Sequence, residues 1–256
     1  MKNILLINDM PSYGRVALAA MAPILTKYGH SLYQLPTALI SNPFSYEKVE
    51  ILDTTSYLEK TLENWKKLGF QYDVIAIGYL FSKEQVEIIR EYLEEQESFV
   101  FFDPIMGDHG KLYHSVTEEQ VETMKEMVAY ADVIIPNLTE GSFLTGEKEY
   151  RRIAEKLREM GAKNVILTSC EEKNQYFNYI VTDEGEEKIY YEKFSRGFGG
   201  SGDMFSALLI GEWCKDQRLN SGVKIGTEKM NLLMEKTLEE GENYDIIPIE
   251  KYIQWI

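Results

Sequence analysis

The run Gly197-Phe198-Gly199-Gly200-Ser201-Gly202-Asp203 opens directly into Met204-Phe205-Ser206-Ala207-Leu208-Leu209-Ile210. The second stretch is apolar almost all round, which predicts a buried helix over Ser201 to Trp213. The first turn of a helix carries unpaired amide N–H groups and a partial positive charge. Glycines there let an anion approach the backbone closely, so the run is a ready phosphate cradle. Asp203 stands in that first turn. As a base beside the cradle it would take the proton of a hydroxyl while a phosphoryl group is transferred, a reaction that needs mostly positioning and charge neutralisation. Helix capping is the plainer role for the same carboxylate.

Three rival motifs fit less well. Gly197, Gly199 and Gly202 match G-x-G-x-x-G. The dinucleotide fingerprint, however, belongs after the first strand of a βαβ unit, with an acidic residue about 20 positions on. No Gly-Lys-Ser/Thr occurs, so there is no Walker loop. A nucleophile elbow would need glycine where Asp203 stands.

Asp103-Pro104-Ile105-Met106-Gly107-Asp108 sets two carboxylates after one apolar run, and Asn137-Leu138-Thr139-Glu140 follows the next. Hard oxygen donors beside a phosphate site suit Mg2+, which keeps several waters and takes one or two protein carboxylates. A turn capped by Asp103 and a helix opened by Glu140 are the alternatives. Thr168 and Ser169 would bind nucleotide phosphate or a monovalent ion, or simply end a strand. His109 to Tyr113 reads as a mobile loop able to close over a substrate. His30, His109, His114, Cys170 and Cys214 lack zinc-like spacing.

The elements that would hold these groups follow from periodicity. Short apolar runs predict strands at Ile4 to Ile7, Ser31 to Pro36, Asp73 to Ile77, Phe99 to Phe102, Val133 to Ile135 and Val165 to Leu167. Amphipathic stretches predict helices over Val16 to Tyr28, Thr54 to Leu68, Lys83 to Glu94 with Ser82 as N-cap, Thr117 to Tyr130 and Tyr150 to Met160. Strands alternating with helices of this length imply βαβ units and a mostly parallel sheet. After residue 170, Tyr176 to Thr182 and Lys188 to Lys193 predict a hairpin around Asp183 to Glu186. Helices over Ser201 to Trp213 and Glu228 to Glu239 follow. Ligands of such sheets sit at the carboxyl ends of the strands, where Asn8-Asp9, Gly78-Tyr79, Asp103 to Asp108, Asn137 to Glu140 and Thr168-Ser169 lie.

The chain has 256 residues, with 27 Lys plus Arg against 42 Asp plus Glu, a net charge of −15. That balance argues against nucleic-acid binding, and an anionic substrate must be captured by local donors. No repeat or linker divides the chain, which predicts one α/β domain over 1–256. The apolar start Ile4 to Ile7 is too short for a signal peptide or membrane span, and two free thiols suit the cytoplasm.

Taken in order, Tyr13-Gly14, Ser41-Asn42, Gly78-Tyr79, Asp103 to Asp108, Asn137 to Glu140, Leu144-Thr145-Gly146 and Gly200-Ser201-Gly202-Asp203 resemble the ribokinase superfamily. The pyridoxal/pyridoxamine kinase branch is the nearest match, over residues 3–216. The resemblance implies a three-layer α/β/α sandwich with a central, mostly parallel sheet. It implies ATP-dependent phosphorylation of the 5'-hydroxymethyl group of a vitamin B6 vitamer. Asp203 would be the base, with the amides of Gly200, Ser201, Gly202 and Asp203 as the anion hole. Asp103, Asp108 and Glu140 would organise Mg2+ near ATP, and Asn137, Thr168, Ser169 and Phe198 would line the nucleotide. Asp9, Ser41 and Tyr79 would meet the substrate. Branch members are usually homodimers, and a monovalent cation such as K+ often assists.

The sequence departs from the branch at several points. Serine replaces the usual threonine at Ser201, and Asp9 stands where many members carry serine. Pro43-Phe44 replaces a common His-Thr pair, and Ile135 replaces a threonine tied to the monovalent cation. A carboxylate at Asp9 would favour a substrate with a protonated amine or ring nitrogen, such as pyridoxamine. Two other readings stand beside this one: the same chemistry on hydroxymethylpyrimidine or a sugar, and a ligand-binding relative that turns nothing over.

Overall fold

Ile4, Leu5, Leu6 and Ile7 are all fully buried, as a strand can be only where both faces of its sheet are covered. In the computed structural model, which describes residues 1–241 and 244–256, those four lie in β1 (Asn3–Pro11). The chain continues through α1 (Ala17–Lys27), β2 (Ser31–Ile40), β3 (Ile51–Asp53), α2 (Thr55–Leu68), β4 (Val74–Ile77) and α3 (Lys83–Leu93). Next come β5 (Phe99–Phe102), β6 (Gly107–Asp108), β7 (Lys111–Leu112), α4 (Glu118–Met127), β8 (Val133–Ile134), α5 (Leu138–Thr145) and α6 (Tyr150–Glu159). The last elements are β9 (Asn164–Glu172), β10 (Gln175–Thr182), β11 (Gly185–Tyr191), α7 (Ser201–Asp216), α8 (Leu219–Glu239) and α9 (Ile249–Tyr252).

One sheet runs β11-β10-β9-β8-β5-β4-β1-β2-β3. The six strands from β9 to β2 are parallel, and β3, β10 and β11 are added antiparallel. Side chains alternate across the sheet. Leu5 and Ile7 join a core with α2 to α6, while Ile4 and Leu6 join the opposite core with α1, α7, α8 and α9. This is the expected three-layer α/β/α sandwich. No described helix is long and apolar enough to cross a membrane, and both cysteines are free thiols.

Several elements exceed or differ from the expectations. β2 runs past Pro36 to Ile40. Pro36 is tolerated because the β1–β2 register slips just after it, between the Asn8 and Met10 pairings, and prolines in sheets concentrate at such irregularities. β3 was invisible because three residues carry too little pattern. The loop after β5 forms the β6–β7 hairpin, with positive φ at both His109 and Gly110, as a tight hairpin turn requires. α8 begins at Leu219, nine residues before the expected Glu228.

Candidate active site

The parallel strands end on one side of the sheet, and their loops meet the start of α7 there. Gly200 makes this meeting possible. Its φ is +79°, and a Cβ on it would lie 2.2 Å from the Arg15 carbonyl oxygen, so only glycine lets α7 start against the loop before α1. The Ser201 amide donates to the Phe198 carbonyl at 3.3 Å. A Cβ on Gly202 would meet nothing within 4 Å, so this turn of backbone is open to an approaching group.

Asp203 follows at once. The Ala17 backbone amide donates to its carboxylate, and Ala17 holds a positive φ of 47° to start α1. Asn8 Nδ2 donates to Asp203 Oδ1 at 3.3 Å. Burial nevertheless dominates and raises the carboxyl to about 6. Asn8 is itself buried. Its Oδ1 accepts the amides of Asp9 and Tyr79 at 2.9 and 2.8 Å. Gly78 leaves room for it, since a Cβ there would come within 2.4 Å of the Asn8 side chain.

Asp103 lies across a cavity of about 10 Å³ that is also lined by Asn8, Asp203 and Ser206. Ser206, one turn beyond Asp203 on α7, donates to Asp103 Oδ2 at 2.7 Å. Burial first, and then the Asp203 charge, raise the Asp103 carboxyl to about 7. Asp9 is also buried and held well above the ordinary range, by burial and then by Asp203. Its Oδ2 has no hydrogen-bond partner, a costly state for a buried oxygen.

The other expected residues fall into distinct places. Asn137 caps α5: its Oδ1 accepts the Glu140 amide at 2.9 Å, and Glu140 Oε2 accepts the Asn137 amide at 2.8 Å. Glu140 Oε1 accepts the Met106 amide at 3.1 Å, so this carboxylate holds the Asp103–Asp108 loop in place. Burial and the neighbouring Asp103 raise it well above its usual value. Asp108 is half exposed beside His109. Thr168 and Ser169 form a bulge opposite β10, with Ser169 at φ 58°. Ser41 accepts the Glu50 amide at 2.9 Å and pins the loop 41–50. Phe198 is buried, with the Arg196 guanidinium over its ring.

Tyr79 is only 1% exposed, lying under Phe44 at a centroid separation of 4.7 Å. Tyr113 also neighbours Phe44, with ring centroids 6.1 Å apart. The Tyr113 hydroxyl is held protonated by burial and by the charges of Glu140, Asp108, Asp203 and Asp103. Asn8, Ser206 and Phe44 were given no individual role from sequence, and Tyr113 only a place in the loop expected to close over a substrate. Asn8 had a signal in its strand-end position, and Ser206 in its spacing of three from Asp203.

Among the described residues no group of three His, Cys, Asp or Glu side chains is arranged to hold a metal ion unaided. The donor set still fits a hydrated divalent cation. Burial and the Asp203 charge favour protonation of Asp103, and burial and the Asp103 charge favour that of Glu140; an arriving cation relieves both.

Three comparisons bear on this arrangement. The profile of the phosphomethylpyrimidine kinase family matches residues 26–247. A candidate pyridoxal kinase of Schizosaccharomyces pombe is 24% identical over 98% of this chain and 89% of its own. A hydroxymethylpyrimidine/phosphomethylpyrimidine kinase of Aquifex aeolicus is 26% identical over 68% of this chain and 71% of its own. The crystal structure of a candidate phosphomethylpyrimidine kinase from Bacteroides thetaiotaomicron, in a form with pyridoxal, has a TM-score of 0.92. It is 29% identical and covers 99% of this chain and 94% of that one.

Proposed function

The chain belongs to the phosphomethylpyrimidine kinase family, and from that premise we propose that it transfers the γ-phosphoryl group of ATP to the 5'-hydroxymethyl group of a vitamin B6 vitamer. The observation that carries this reading is Asp203, held by Asn8 and the Ala17 amide in the first turn of α7 beside the open Gly202 backbone. A base and an anion cradle adjoin, as transfer to an alcohol requires.

The Asp203 carboxylate takes the hydroxyl proton. The freed oxygen forms a bond to the γ-phosphorus, and the bond to the β-phosphate oxygen breaks. ADP leaves, carrying the bonding electron pair. The amides of Gly200, Ser201, Gly202 and Asp203 hold the charge on the transferring group. Asn137, Thr168, Ser169 and the loop shaped by Phe198 border the nucleotide. Asp103 and Asp108 would hold Mg2+ with Glu140 fixing their loop, and the ion would neutralise phosphate charge. Ser41 and Tyr79 shape the substrate side. The unpartnered oxygen of Asp9 favours a vitamer with a protonated amine or ring nitrogen. A K+ ion near Thr168, a homodimer and a cytoplasmic location complete the reading.

The Aquifex relative's name supports a second acceptor, hydroxymethylpyrimidine. A coupled ADP-release assay with pyridoxal, pyridoxine, pyridoxamine and hydroxymethylpyrimidine decides between them. Magnesium-dependent turnover, fastest with a vitamer and lost in Asp203→Asn, is the expected result. Fastest turnover with hydroxymethylpyrimidine moves the assignment to that substrate, and no turnover with any of the four refutes it. Equal efficiencies for the three vitamers in wild type and Asp9→Asn would remove Asp9 from selection.

A further inference from the structure

Ser206 is a buried hydroxyl in α7, whose residues from Met204 to Trp213 are all buried. A hydroxyl inside a helix has a local partner within reach, the carbonyl four residues back. Thr123, Ser142, Thr145, Thr227 and Thr237 all take it, at 2.7 to 2.9 Å. Ser206 has a single proton to give and gives it elsewhere. Its Oγ donates to Asp103 Oδ2 at 2.7 Å, across 103 positions of chain.

The backbone of Asp103 is held by its own surroundings. Its amide donates to the Ile77 carbonyl, and its carbonyl accepts the Ile105 amide, both at 2.8 Å. Its side chain depends on Ser206, the one side chain among the described residues that donates to this carboxylate. Oδ2 is thereby taken, and Oδ1 is left for a ligand. The small cavity beside the pair offers no substitute donor. Met21, Phe101 and Ile135 line it, and the Asn8 amide nitrogen, which also faces it, is already given to Asp203. Asp203 and Ser206 are three residues apart on α7, so they share one face of the helix, roughly 4.5 Å apart along its axis.

We propose that Ser206 is a positioning residue for the phosphoryl transfer, fixing the Asp103 carboxylate to the helix that carries the base. The inference rests on the kinase reading above and adds a residue to its machinery. α7 is then one rigid frame for both sides of the reaction. Its first turn presents Asp203 and the glycine amides, and the next turn sets the carboxylate that faces Mg2+. An outer partner of this kind orients a ligand and strengthens its hold on the cation. Ser206 is committed to Asp103 and acts through it alone.

Thermal melting across a Mg2+ titration, with ADP present, tests this without turnover. The variants are Ser206→Ala, Ser206→Cys and Ser206→Thr. The Mg2+ concentration at the midpoint of the Tm rise should increase roughly 10- to 100-fold in Ser206→Ala and Ser206→Cys, the scale of a lost outer partner. Ser206→Thr keeps the hydroxyl and should keep the wild-type midpoint. The Tm without Mg2+ is read separately, because a merely structural hydroxyl would shift that value and leave the midpoint alone. Steady-state kinetics should show the same rise in the Mg2+ needed for half-maximal turnover, with KM for the acceptor unchanged. Ser206→Cys fills the space that a water would take in Ser206→Ala, and it decides where the two differ. If the extra methyl of Ser206→Thr prevents folding, Ser206→Cys against wild type still decides. An active wild type with Ser206→Cys at the same midpoint overturns this inference and leaves the kinase reading standing. A wild type that turns over none of the four acceptors overturns both.

Discussion

Asn8 Nδ2 donates to Asp203 Oδ1 at 3.3 Å and ties the end of β1 to the start of α7 across 195 positions of chain. The orientation of the Asn8 amide is forced. Its oxygen already accepts two backbone amides, from Asp9 and Tyr79, so only the nitrogen is left to face the carboxylate. Asn8→Ala removes that donor and strands two buried amides. We expect kcat to fall about 10²-fold, as for a misplaced reacting group, with KM values little changed. Single-turnover measurement checks this. An unchanged rate would mean that the Ala17 amide alone orients the base.

As the proposed base, Asp203 should set the acid limb of activity. Burial raises its carboxyl from 3.8 to about 6, and a base works only when deprotonated. Activity is therefore full above that value and declines as pH falls through about 6, well above where an ordinary aspartate would titrate. The pH profile of kcat/KM should show a single-proton limb with that midpoint. Asp203→Asn should remove the limb and lower kcat by about 10²-fold or more. A midpoint near 4 would place the working carboxylate in solvent and exclude Asp203 as the base.

The apolar run of β1, the Gly69 stop of α2 and the Ser82 cap of α3 were all readable, because each is set by neighbours in sequence. So was the order of the carboxylate loops. The links between them were not. Ser206 with Asp103, and Asn8 with Asp203, join residues 103 and 195 positions apart, and no local pattern encodes such pairings. Glu140 illustrates the opposite case. Its capping spacing from Asn137 is local, yet its grip on the Met106 amide appears only in three dimensions. Tyr79 looked accessible as a strand-end residue, whereas Phe44, 35 positions earlier, covers it.

Asp103 should trade stability for function. Its carboxyl titrates at about 7 in the folded protein against 3.8 ordinarily, so the folded state binds the proton more tightly than the unfolded one. The sign follows: stability is lost as pH rises from about 4 to about 7, and the full cost is present at pH 8. Asp103→Asn keeps an acceptor for Ser206 and removes the charge. At pH 8 it should be more stable than wild type by about 1 kcal/mol or more, roughly 2–4 °C in Tm for each kcal/mol. The gain should shrink as pH falls and vanish only below about pH 4. Added Mg2+ should raise the wild-type Tm more than that of the variant. Calorimetry reads all three. A variant less stable at pH 8 would show that the fold already compensates this charge.

The C-terminal segment closes the rear of the cradle, and its two neighbouring isoleucines separate fit from stability. The Gly199 amide donates to the Asp245 carbonyl at 2.9 Å, and the Arg196 guanidinium donates to the Tyr244 carbonyl at 2.6 Å. Ile246 fills the space beside Gly14 and Gly199, while Ile247 is fully buried in the α1 and α7 core. Arg15 and Glu250 close the same corner with an ion pair. Ile246→Ala loosens the wall behind the glycine run and removes a half-buried side chain, so a modest loss of about 1–2 kcal/mol is expected. Its KM for ATP should rise severalfold, because the amides of residues 200–203 lose their backing. Ile247→Ala should cost more, about 2–4 kcal/mol, with KM for ATP unchanged in the folded fraction. If both variants lowered Tm while neither moved KM, the segment would be a core element alone, with no part in shaping the cradle.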